Sequence, residues 1–448
     1  MQDYKKFFKG KKITVMGLGL LGRGVGDAAF LAECGADLIV TDIKPSTALR
    51  PSLQKLRKFK NIQYVLGEHR LEDFRSRDMI LKNPDIPLDS VYIQEARKNK
   101  ISIEMSASLF AKLADVPIVG ITGTRGKSTV THLIVHILET AHKKVLLGGN
   151  VRNVSSLQLL KNAKGADIAV LELDSWQLQG FGESKMSPHI AVFTTFYPDH
   201  LGYYKGSMKK YFADKANIFK YQKQGDVLIA GAQVAPLIEK SKQKIKSKII
   251  ITPEALPPGW EFNLPGSHNE YNAMLAVETA RVLGIPDPKI KQALKTFVPL
   301  SGRLEFLRTV KGVKIYNDNS STTPDATIAA LRAVGNSQKP NVVLIIGGHN
   351  KFLDMSKLIT EIPKFCSKVI LFKEDGTDTI RDKVFAFTKK GIEVYEEDGL
   401  KDTVNRAITI AKKGDIILYS PAFSSFGKYF QNEYDRGDQF VKLIKSLK

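Results

Sequence analysis

The sequence has few cysteines and no long uninterrupted apolar run. Cys34 and Cys366 are the only cysteines in 448 residues, which excludes a disulfide framework, and no Cys/His cluster has zinc spacing. No stretch approaches the ~18 apolar residues that a membrane-spanning helix needs. The basic N-terminus MQDYKKFFKGKK precedes a short, glycine-interrupted apolar run, which predicts a strand and turn instead of a signal peptide. We therefore expect a cytoplasmic protein without a membrane span.

Acidic residues are scarce relative to basic ones. The chain has 46 Asp and Glu against 67 Lys and Arg, and its formal net charge is +21. The densest basic segment, 239–251, alternates lysine with other residues, as on one face of a strand or in a solvated loop. No helix-turn-helix, zinc-finger or RNP-type aromatic motif accompanies it. The charge therefore favours anionic small substrates, and no nucleic acid partner is expected.

The length and the pattern of the chain predict an α/β protein with several domains. A chain of 448 residues is too long for one hydrophobic core and suggests about three domains. Apolar runs of strand length, among them VPIVGIT, ADIAVLEL and NVVLIIGG, alternate with helical patterns. This alternation is typical of parallel sheets covered by helices. Joints are expected near 105–115 and 299–303.

The stretch GITGTRGKSTVT, residues 120–131, has the composition of a phosphate-binding loop. It is a shortened relative of G-x-x-x-x-G-K-[ST], because position 121 is isoleucine. A strand is predicted to end at Ile121 and a helix to begin at Lys127, so backbone N–H groups and the helix N-terminus would face an anion. Lys127 would reach the outer phosphates, and Ser128 or Thr129 would place a hydroxyl on Mg²⁺. A glycine-rich turn with a solvated lysine is the plainer alternative. The expected nucleotide-binding residues of the loop are Gly123, Thr124, Gly126, Lys127, Ser128 and Thr129.

A second glycine pattern is Gly17-x-Gly19-x-x-Gly22, with Asp42 twenty residues further on. This is the dinucleotide-binding fingerprint, which is a weak signal alone. Three interpretations stay open: a dinucleotide site, a site for a nucleotide-diphosphate substrate at the same turn, and a tight turn without ligand.

Eight segments in order resemble the Mur ligases of peptidoglycan synthesis, and within that family the members that add D-glutamate. They span nearly the whole chain: GTRGKST, LELDSWQL, TTFYPDHLGYYKGSMKKYFADKANIF, GSHNEYNAMLA, LSGRLEF, YNDNS, LIIGGHNK and SPAFSSF…RG. The resemblance implies three domains. They are a Rossmann-like domain for the UDP-substrate at 1–107, a central P-loop ATPase with a mainly parallel sheet at 108–301, and a Rossmann-like domain for the amino acid at 302–448.

The resemblance also implies the reaction and its partners. ATP would phosphorylate the terminal carboxyl of a UDP-muramoyl substrate, and the amino group of an acidic amino acid would displace the phosphate. Mg²⁺, as two ions, and a carbamylated Lys215 are the implied cofactors beside ATP. We expect the enzyme to act as a monomer.

Individual residues take their expected roles from this resemblance. The implied catalytic residues are Lys127, His200 and Lys215. The implied metal ligands are Ser128, Glu172, His200 and Lys215. ATP contacts are implied at Asn269, Asn272, Arg303 and Asp318. Contacts to the UDP-muramoyl substrate are implied at Leu20, Asp42, Lys44 and Asn150, and contacts to the amino acid at Lys351 and Ser425. Thr322, which aligns with a threonine of the family, is a further implied substrate contact. Plainer roles compete for several of them: helix capping for Asn269, turn formation for Asn150, a surface ion pair for Lys351 and an exposed helix lysine for Lys215.

The sequence departs from the family pattern at several positions. Arg125 replaces the usual asparagine of the loop, Asp174 stands where serine is common, and Ser320 takes the place of a lysine. Near 430 the alignment shifts by one residue, so the aromatic side chain against glutamate is either Phe430 or Tyr434. These departures bear on the amino acid more than on the use of ATP.

Other functions stay open at this stage. One alternative is a sister Mur ligase or a folylpolyglutamate-type ligase. Among these, the diaminopimelate-adding ligase is disfavoured because no DNPR block follows GGHNK, and the folate enzyme because the loop reads GKST instead of GKGS. A basic nucleic-acid-binding ATPase would hydrolyse ATP faster with nucleic acid. A binding protein with a degenerate ATPase site would release no phosphate in response to substrates.

Overall fold

Three β-sheets with packed helices make up the protein. The computed structural model describes residues 3–20, 22–241 and 244–447. The strands are β1 Lys12–Met16, β2 Asp37–Asp42, β3 Ile62–Leu66, β4 Met79–Lys82, β5 Ser102–Glu104, β6 Ile118–Thr122, β7 Val145–Gly149, β8 Ile168–Glu172, β9 Ile190–Phe193, β10 Val227–Gly231, β11 Lys248–Thr252, β12 Glu305–Val310, β13 Val313–Asn317, β14 Val342–Ile346, β15 Cys366–Phe372, β16 Glu393–Glu397 and β17 Ile416–Tyr419.

Helices alternate with these strands as the apolar pattern predicts. They are α1 Tyr4–Phe8, α2 Arg23–Glu33, α3 Ser46–Leu56, α4 Val91–Lys98, α5 Ser106–Leu113, α6 Lys127–Thr140, α7 Ser175–Glu183, α8 Met208–Ala216, α9 Ala235–Lys240, α10 Ser267–Val282, α11 Asp287–Thr296, α12 Pro324–Val334, α13 Ser356–Phe365, α14 Asp375–Asp378, α15 Arg381–Phe385, α16 Leu400–Ile410 and α17 Glu433–Ser446. Short 3-10 helices lie at Leu71–Phe74, Leu157–Gly165 and Ala386–Lys390.

The first sheet is parallel, in the order β3-β2-β1-β4-β5. In its central strand β1 every residue after Lys12 is buried, as expected when helices cover both faces. The chain leaves β1 through the glycine turn 17–22 and enters α2, whose residues Ala28 and Leu31 are fully buried. This turn lies at the carboxyl end of β1, where open α/β sheets place their ligands.

The second sheet is also parallel, in the order β11-β10-β9-β6-β8-β7. Strand β6 pairs with β8 on one side and β9 on the other, and the loop 123–126 leads from it into α6. The loop therefore lies at the middle of the sheet. These two sheets form one compact unit, which contains the residues up to Tyr197, Leu201–Glu254 and Asn272–Leu294.

The third sheet is mixed, in the order β12-β13-β17-β14-β15-β16. Strand β12 runs antiparallel to β13, and the other pairs are parallel. Strand β14 is buried on both faces and contributes to two apolar clusters, one on each side of the sheet. A second compact unit holds this sheet and comprises Pro198–His200, Ala255–Tyr271 and the residues from Lys295 onward.

The α/β class and the three-domain architecture are confirmed, and the antiparallel β12 makes the C-terminal sheet mixed, which the sequence pattern did not reveal. The limits 1–107, 108–301 and 302–448 stay a prediction. Within the basic segment 239–251, β11 begins at Lys248, whereas Lys242 and Gln243 lie outside the described residues. None of the helices in the described ranges combines the length and the apolar character needed to cross a membrane.

Candidate active site

Two glycines give the loop between β6 and α6 its shape. Gly123 has a φ of +148° and Gly126 a φ of +85°, values that L side chains rarely adopt. A Cβ atom at Gly123 would lie 1.9 Å from Thr194 Oγ1, and one at Gly126 would lie 2.3 Å from Asn272 Oδ1. Conformation thus favours glycine at both positions, and at Gly123 a Cβ atom would also lie 2.9 Å from the Thr195 backbone nitrogen. The strand ends at Thr122 and the helix begins at Lys127, within one residue of the predicted boundaries.

Two threonines that follow β9 hold this loop. The Thr124 N–H donates to the Thr195 carbonyl oxygen over 2.7 Å, and the Arg125 N–H donates to Thr195 Oγ1 over 2.9 Å. The Thr194 hydroxyl in turn donates to the Arg125 carbonyl oxygen over 2.5 Å. Sequence reasoning did not assign these threonines a role, although they begin the segment TTFYPDHLG that carries part of the family resemblance. Arg125 contributes to the fixing of the loop through its backbone, which any residue at this position could do.

Two lysines approach a single carbonyl oxygen of the loop. Lys127 Nζ lies 3.0 Å and Lys215 Nζ 2.8 Å from the Gly123 oxygen. Lys215 is only 1% exposed, also donates to Thr122 Oγ1 over 3.3 Å, and lies over the ring of Tyr211. The plainer expectation, an exposed helix lysine, is therefore wrong for Lys215. The ammonium group of Lys127 at this glycine-rich loop forms an environment suited to phosphate.

The carboxylate of Glu172 ends β8 next to this loop, because Glu172 pairs with Ile121 in the sheet. Its side chain is 4% exposed, and within the described part of the chain it has no hydrogen bond or ion pair. A buried carboxylate without a partner is costly unless a cation compensates it. Ser128 and Thr129, in the first turn of α6, add buried hydroxyl groups. These oxygen donors fit Mg²⁺.

Protein ligands alone do not form a complete metal cage. Among the described residues no group of three or more His, Cys, Asp and Glu side chains is placed to hold a metal ion. Mg²⁺ commonly takes one or two carboxylates and completes its shell with phosphate oxygens and water. Ser128, Glu172 and Lys215 lie in the first compact unit, whereas His200 belongs to the second. In the second unit His200 has a φ of +54°, and its N–H donates to Asp199 Oδ1 over 2.9 Å.

The requirement for glycine in the loop can be tested with a matched pair of variants. Gly126→Ala combines an unfavourable φ with a clash at Asn272, whereas a Cβ atom at Gly225, which has a φ of +96°, would have no other atom within 4 Å. We expect Gly126→Ala to lower kcat/KM for ATP about tenfold, since overpacking of a close contact typically costs about 1–3 kcal/mol. Gly225→Ala should affect only thermal stability. Equal kinetic effects of both variants would contradict the proposed importance of the close approach.

A cavity in the first compact unit lies at the glycine turn after β1. Gly17, Arg23, Asn83, Gly149 and Gln177 are among the residues that line it. The side chain of Asp42 orders this turn through hydrogen bonds with backbone N–H groups. Its Oδ2 accepts the Leu18 N–H over 2.9 Å and the Gly19 N–H over 3.0 Å, and its Oδ1 accepts the Lys44 N–H over 2.9 Å. Asp42 thus orders the backbone, whereas Leu20 and Lys44 are exposed beside it.

A buried lysine supports the same cavity from the turn after β4. Lys82 is 2% exposed, and its Nζ donates to the carbonyl oxygens of Asn83, Pro84 and Ile86 over 3.2, 3.2 and 2.8 Å. Burial lowers the pKa of Lys82 to about 8. Sequence reasoning missed this residue, and its one visible signal was a lysine at the end of an otherwise apolar strand.

Asp174 explains one departure from the family pattern. It is the N-cap of α7, and its carboxylate accepts the Gln177 N–H over 2.7 Å in a capping box. Serine and aspartate are both favourable N-cap residues, so either residue type suits this position.

In the second compact unit, Asp318 ties three segments together. Its carboxylate accepts the Leu304 N–H over 3.0 Å, the Ser321 hydroxyl over 2.5 Å and the Ser420 hydroxyl over 2.8 Å. Burial raises its pKa to about 6. Two of the other expected ATP contacts lie in this unit. Arg303 is half-buried, and Asn269 is buried and donates through Nδ2 to the Pro265 carbonyl oxygen over 2.8 Å. The fourth, Asn272, lies in the first unit.

The two loops expected to hold the amino acid are paired in the same unit. His349 and Ser424 exchange backbone hydrogen bonds of 3.0 and 3.1 Å, which brings the segments of Lys351 and Ser425 to one edge of the third sheet. Lys351 Nζ lies 2.7 Å from Asp199 Oδ1. The Ser425 hydroxyl is buried and has no hydrogen-bond partner among the described residues. A buried hydroxyl of this kind is available to a bound molecule.

Arg436 supports these loops from α17. It is 1% exposed, and it donates to the Phe423 carbonyl oxygen and to both oxygens of Asn319, over distances of 2.8 to 3.2 Å. Of the two aromatic candidates near 430, Phe430 is buried in the apolar core against Phe372, whereas Tyr434 is half-buried at the start of α17. Thr322 is half-buried in the same unit. The contacts of Thr322, Lys351 and Ser425 with an amino acid stay a prediction.

Comparisons with known proteins agree with this arrangement. Models of three Mur ligase domains match successive parts of the chain: the MurD-like N-terminal domain at 11–104, the middle domain at 121–255 and the glutamate ligase domain at 302–423. Relatives named UDP-N-acetylmuramoylalanine–D-glutamate ligase occur in Roseiflexus sp., Borreliella burgdorferi and Streptococcus pneumoniae. They are 35%, 34% and 33% identical to the chain, each over 98% of it and over 98–99% of the relative.

Solved structures share the fold at lower identity. UDP-N-acetylmuramate-alanine ligase MurC from Thermotoga maritima has a TM-score of 0.63 at 19% identity, over 98% of this chain and all of that one. MurF ligase from the same organism, in complex with ADP, has a TM-score of 0.59 at 15% identity, over 98% and 96% of the two chains. The similarity predicted from eight sequence segments is confirmed over nearly the full length. The chain belongs to the Mur ligase family.

Proposed function

We propose that this protein is an ATP-dependent ligase that joins D-glutamate to UDP-N-acetylmuramoyl-L-alanine in peptidoglycan precursor synthesis. The observation that carries the ligase chemistry is the loop 123–126, where Lys127 and Lys215 approach the Gly123 oxygen. The adjacent strand β8 ends in the buried Glu172. The identity of the substrates is supported by relatives of that name at 33–35% identity over almost the whole chain. We further propose that it acts in the cytoplasm as a monomer.

The reaction needs an activated carboxyl group, because a free carboxylate is a poor electrophile. An oxygen of the acceptor's carboxylate attacks the γ-phosphorus of ATP, ADP leaves, and an acyl phosphate forms. The amine of glutamate then attacks the acyl carbon, phosphate leaves, and the nitrogen loses a proton to give the amide. Charge develops on the transferring phosphoryl group, so preorganised cations are the main catalytic requirement.

The residues of this chain have distinct parts in that scheme. Gly123 and Gly126 allow the backbone to approach the phosphates, and Lys127 stabilises the charge on the transferring group. Ser128, Glu172, His200 and a carbamylated Lys215 would hold magnesium. When bound, Mg²⁺ would neutralise phosphate charge and orient the reacting oxygens. Asn269, Asn272, Arg303 and Asp318 would contact the rest of ATP.

Leu20, Asp42, Lys44 and Asn150 would contact the UDP-muramoyl acceptor. Asp42 would do so indirectly, through the backbone turn that it orders. Thr322, Lys351 and Ser425 would receive the glutamate, with the Ser425 hydroxyl and the Lys351 ammonium group directed at its carboxylates.

Phosphate release gives a direct test of this function. The protein should release phosphate from ATP with Mg²⁺ only when both UDP-N-acetylmuramoyl-L-alanine and D-glutamate are present, and the product should contain the new amide. L-glutamate, alanine, lysine and diaminopimelate are the matched amino acid controls, and the shorter and longer UDP-muramoyl substrates are the acceptor controls. A preference for another amino acid would assign a sister ligase activity. Phosphate release that depends on nucleic acid, or none at all, would contradict the proposal.

The selection of an acidic amino acid should depend on Lys351. We expect Lys351→Ala to raise KM for D-glutamate about tenfold or more, the scale of losing a hydrogen bond to a charged group, while KM for ATP changes little. Lys357→Ala is the control, because Lys357 is an exposed lysine of the following helix α13. Steady-state kinetics with each substrate varied in turn measure both constants. Equal shifts of the two constants would show that Lys351 does not select the amino acid.

A further inference from the structure

An arginine of the first sheet's ligand turn holds a side chain of the second sheet. Arg23, the first residue of α2, donates through Nη1 to the side-chain oxygen of Asn150, which follows β7. Gly22, directly before it, has a φ of +82°, and a Cβ atom there would lie 2.8 Å from Asn153 Oδ1. The start of α2 therefore abuts the turn that contains Asn150. Both elements belong to the first compact unit.

Further contacts fix α2 against this turn. Asp27, one helical turn after Arg23, accepts the Ser155 hydroxyl over 2.5 Å and the Ser106 hydroxyl over 2.7 Å. Gln158 Nε2 donates to the Gly26 carbonyl oxygen over 3.1 Å. One buried and two part-buried hydrogen bonds thus hold α2 against Ser106 and the segment 155–158, independently of the contact between Arg23 and Asn150.

The backbone of Asn150 is equally fixed. Its N–H donates to the Glu172 carbonyl oxygen over 2.7 Å. The preceding Gly149 has a φ of +83°, and a Cβ atom there would lie 2.0 Å from the same oxygen. With its backbone held at the end of β8, Asn150 can reorient only its side chain.

The guanidinium group determines which way the Asn150 amide faces. Arginine has five N–H donors and no acceptor, so only the amide oxygen of asparagine can be turned toward it. The amide NH₂ group is then directed away from Arg23 and can only donate. A bound molecule would therefore meet a fixed donor at Asn150, beside the cavity lined by Arg23 and Gly149.

We propose that Arg23 is a positioning residue for acceptor binding, which locks Asn150 as a hydrogen-bond donor to an oxygen of the UDP-muramoyl substrate. This inference rests on the proposed function, and it adds Arg23, which acts through Asn150, to the residues involved in acceptor binding. An acceptor rich in carbonyl, carboxylate and phosphate oxygens is favoured by such a donor. A freely rotating asparagine amide would present donor and acceptor about equally.

The inference predicts a specific pattern of acceptor constants. Arg23→Met should raise KM for the acceptor about tenfold, equivalent to about 1.4 kcal/mol, with little change in KM for ATP. Arg23→Lys retains one donor and should restore most of the affinity. Asn150→Ala should raise KM for the acceptor at least as much as Arg23→Met does. The double variant should have no higher KM than Asn150→Ala alone, because both changes remove the same interaction with the acceptor.

Asn150→Asp separates positioning from a purely structural contact. Aspartate has nearly the same shape and keeps the contact with Arg23, but it presents an oxygen where the asparagine presents a donor. We expect a rise of KM for the acceptor at least as large as for Asn150→Ala. Arg57→Met, which changes an exposed arginine after α3, is the control and should resemble the parent.

Three results would overturn the inference while the parent enzyme stays active. They are parent-like acceptor binding by Asn150→Asp, additive effects in the double variant, and equal shifts of KM for the acceptor and KM for ATP together with a lower melting temperature. If the parent itself does not use UDP-N-acetylmuramoyl-L-alanine, the proposed function fails and this inference with it.

Discussion

Lys127→Ala is expected to lower turnover by about 10²-fold or more, the typical consequence of losing a preorganised electrostatic group. Lys127 begins α6, and its Nζ lies 3.0 and 3.3 Å from the carbonyl oxygens of Gly123 and Thr124. The next two residues of α6, Ser128 and Thr129, are uncharged and cannot replace the positive charge of Lys127. Since charge develops on the phosphoryl group in the transition state, kcat should fall more than KM for ATP rises.

The measurement is phosphate release under saturating substrates, with circular dichroism and thermal melting to verify the fold. Lys143→Ala is the matched control, because Lys143 is an exposed lysine just after the same helix. Turnover close to the parent in a folded Lys127→Ala protein would refute the assignment. A loss that appears equally in Lys143→Ala would point to general electrostatics instead of a specific role.

Lys215→Arg is expected to reduce activity to about a hundredth or less, and excess magnesium should not restore it. Lys215 is 1% exposed, and its Nζ lies 2.8 Å from the Gly123 carbonyl oxygen that Lys127 also approaches. Only the neutral form of an amine reacts with CO₂ to give a carbamate, and burial of the kind seen for Lys215 is compatible with that reaction. Carbamylation turns a repulsive cation into an anion with two oxygens, the ligand type that Mg²⁺ prefers. Arginine keeps the charge but cannot be deprotonated in a protein, and so cannot be modified in this way.

Two readouts test the modification itself. Activity should be measured over a magnesium titration, with Lys209→Arg as the control on the exposed side of the same helix α8. Incorporation of isotopically labelled bicarbonate should give a carbamate signal in the parent and in Lys209→Arg, and none in Lys215→Arg. A fully active Lys215→Arg variant, or a carbamate signal that persists in it, would end the hypothesis.

Local sequence patterns predicted most of the fold because they act over a few residues. The strand before the loop, the loop and the helix after it were placed within one residue, since the apolar run, the glycines and the helical spacing are all local. The antiparallel β12 could not be predicted in this way. Its burial pattern is irregular, with Leu307 and Arg308 both half-buried and Val310 buried, and nothing in that pattern fixes the direction of its partner.

The candidate site was predictable only in part. The lysine of the loop and the glutamate at the end of β8 stand in recognisable segments, and the structure places them at adjacent strands. The plainer interpretation of Lys215 as an exposed helix lysine was wrong, because burial depends on packing that the sequence does not display. Asp174 departs from the family pattern in the sequence, and the structure shows that it caps α7, a position that serine also favours.

The sequence by itself determined the order of strands and helices, the phosphate-binding loop and the family. These depend on residue types at fixed short spacings, such as glycine where φ is positive. Only the tertiary structure decided which groups meet across long separations. Thr195 binds a loop seventy residues earlier in the chain, two lysines share the Gly123 oxygen, and Arg23 donates to the side-chain oxygen of Asn150. Such contacts depend on how the sheets pack, and packing is set by the whole chain together.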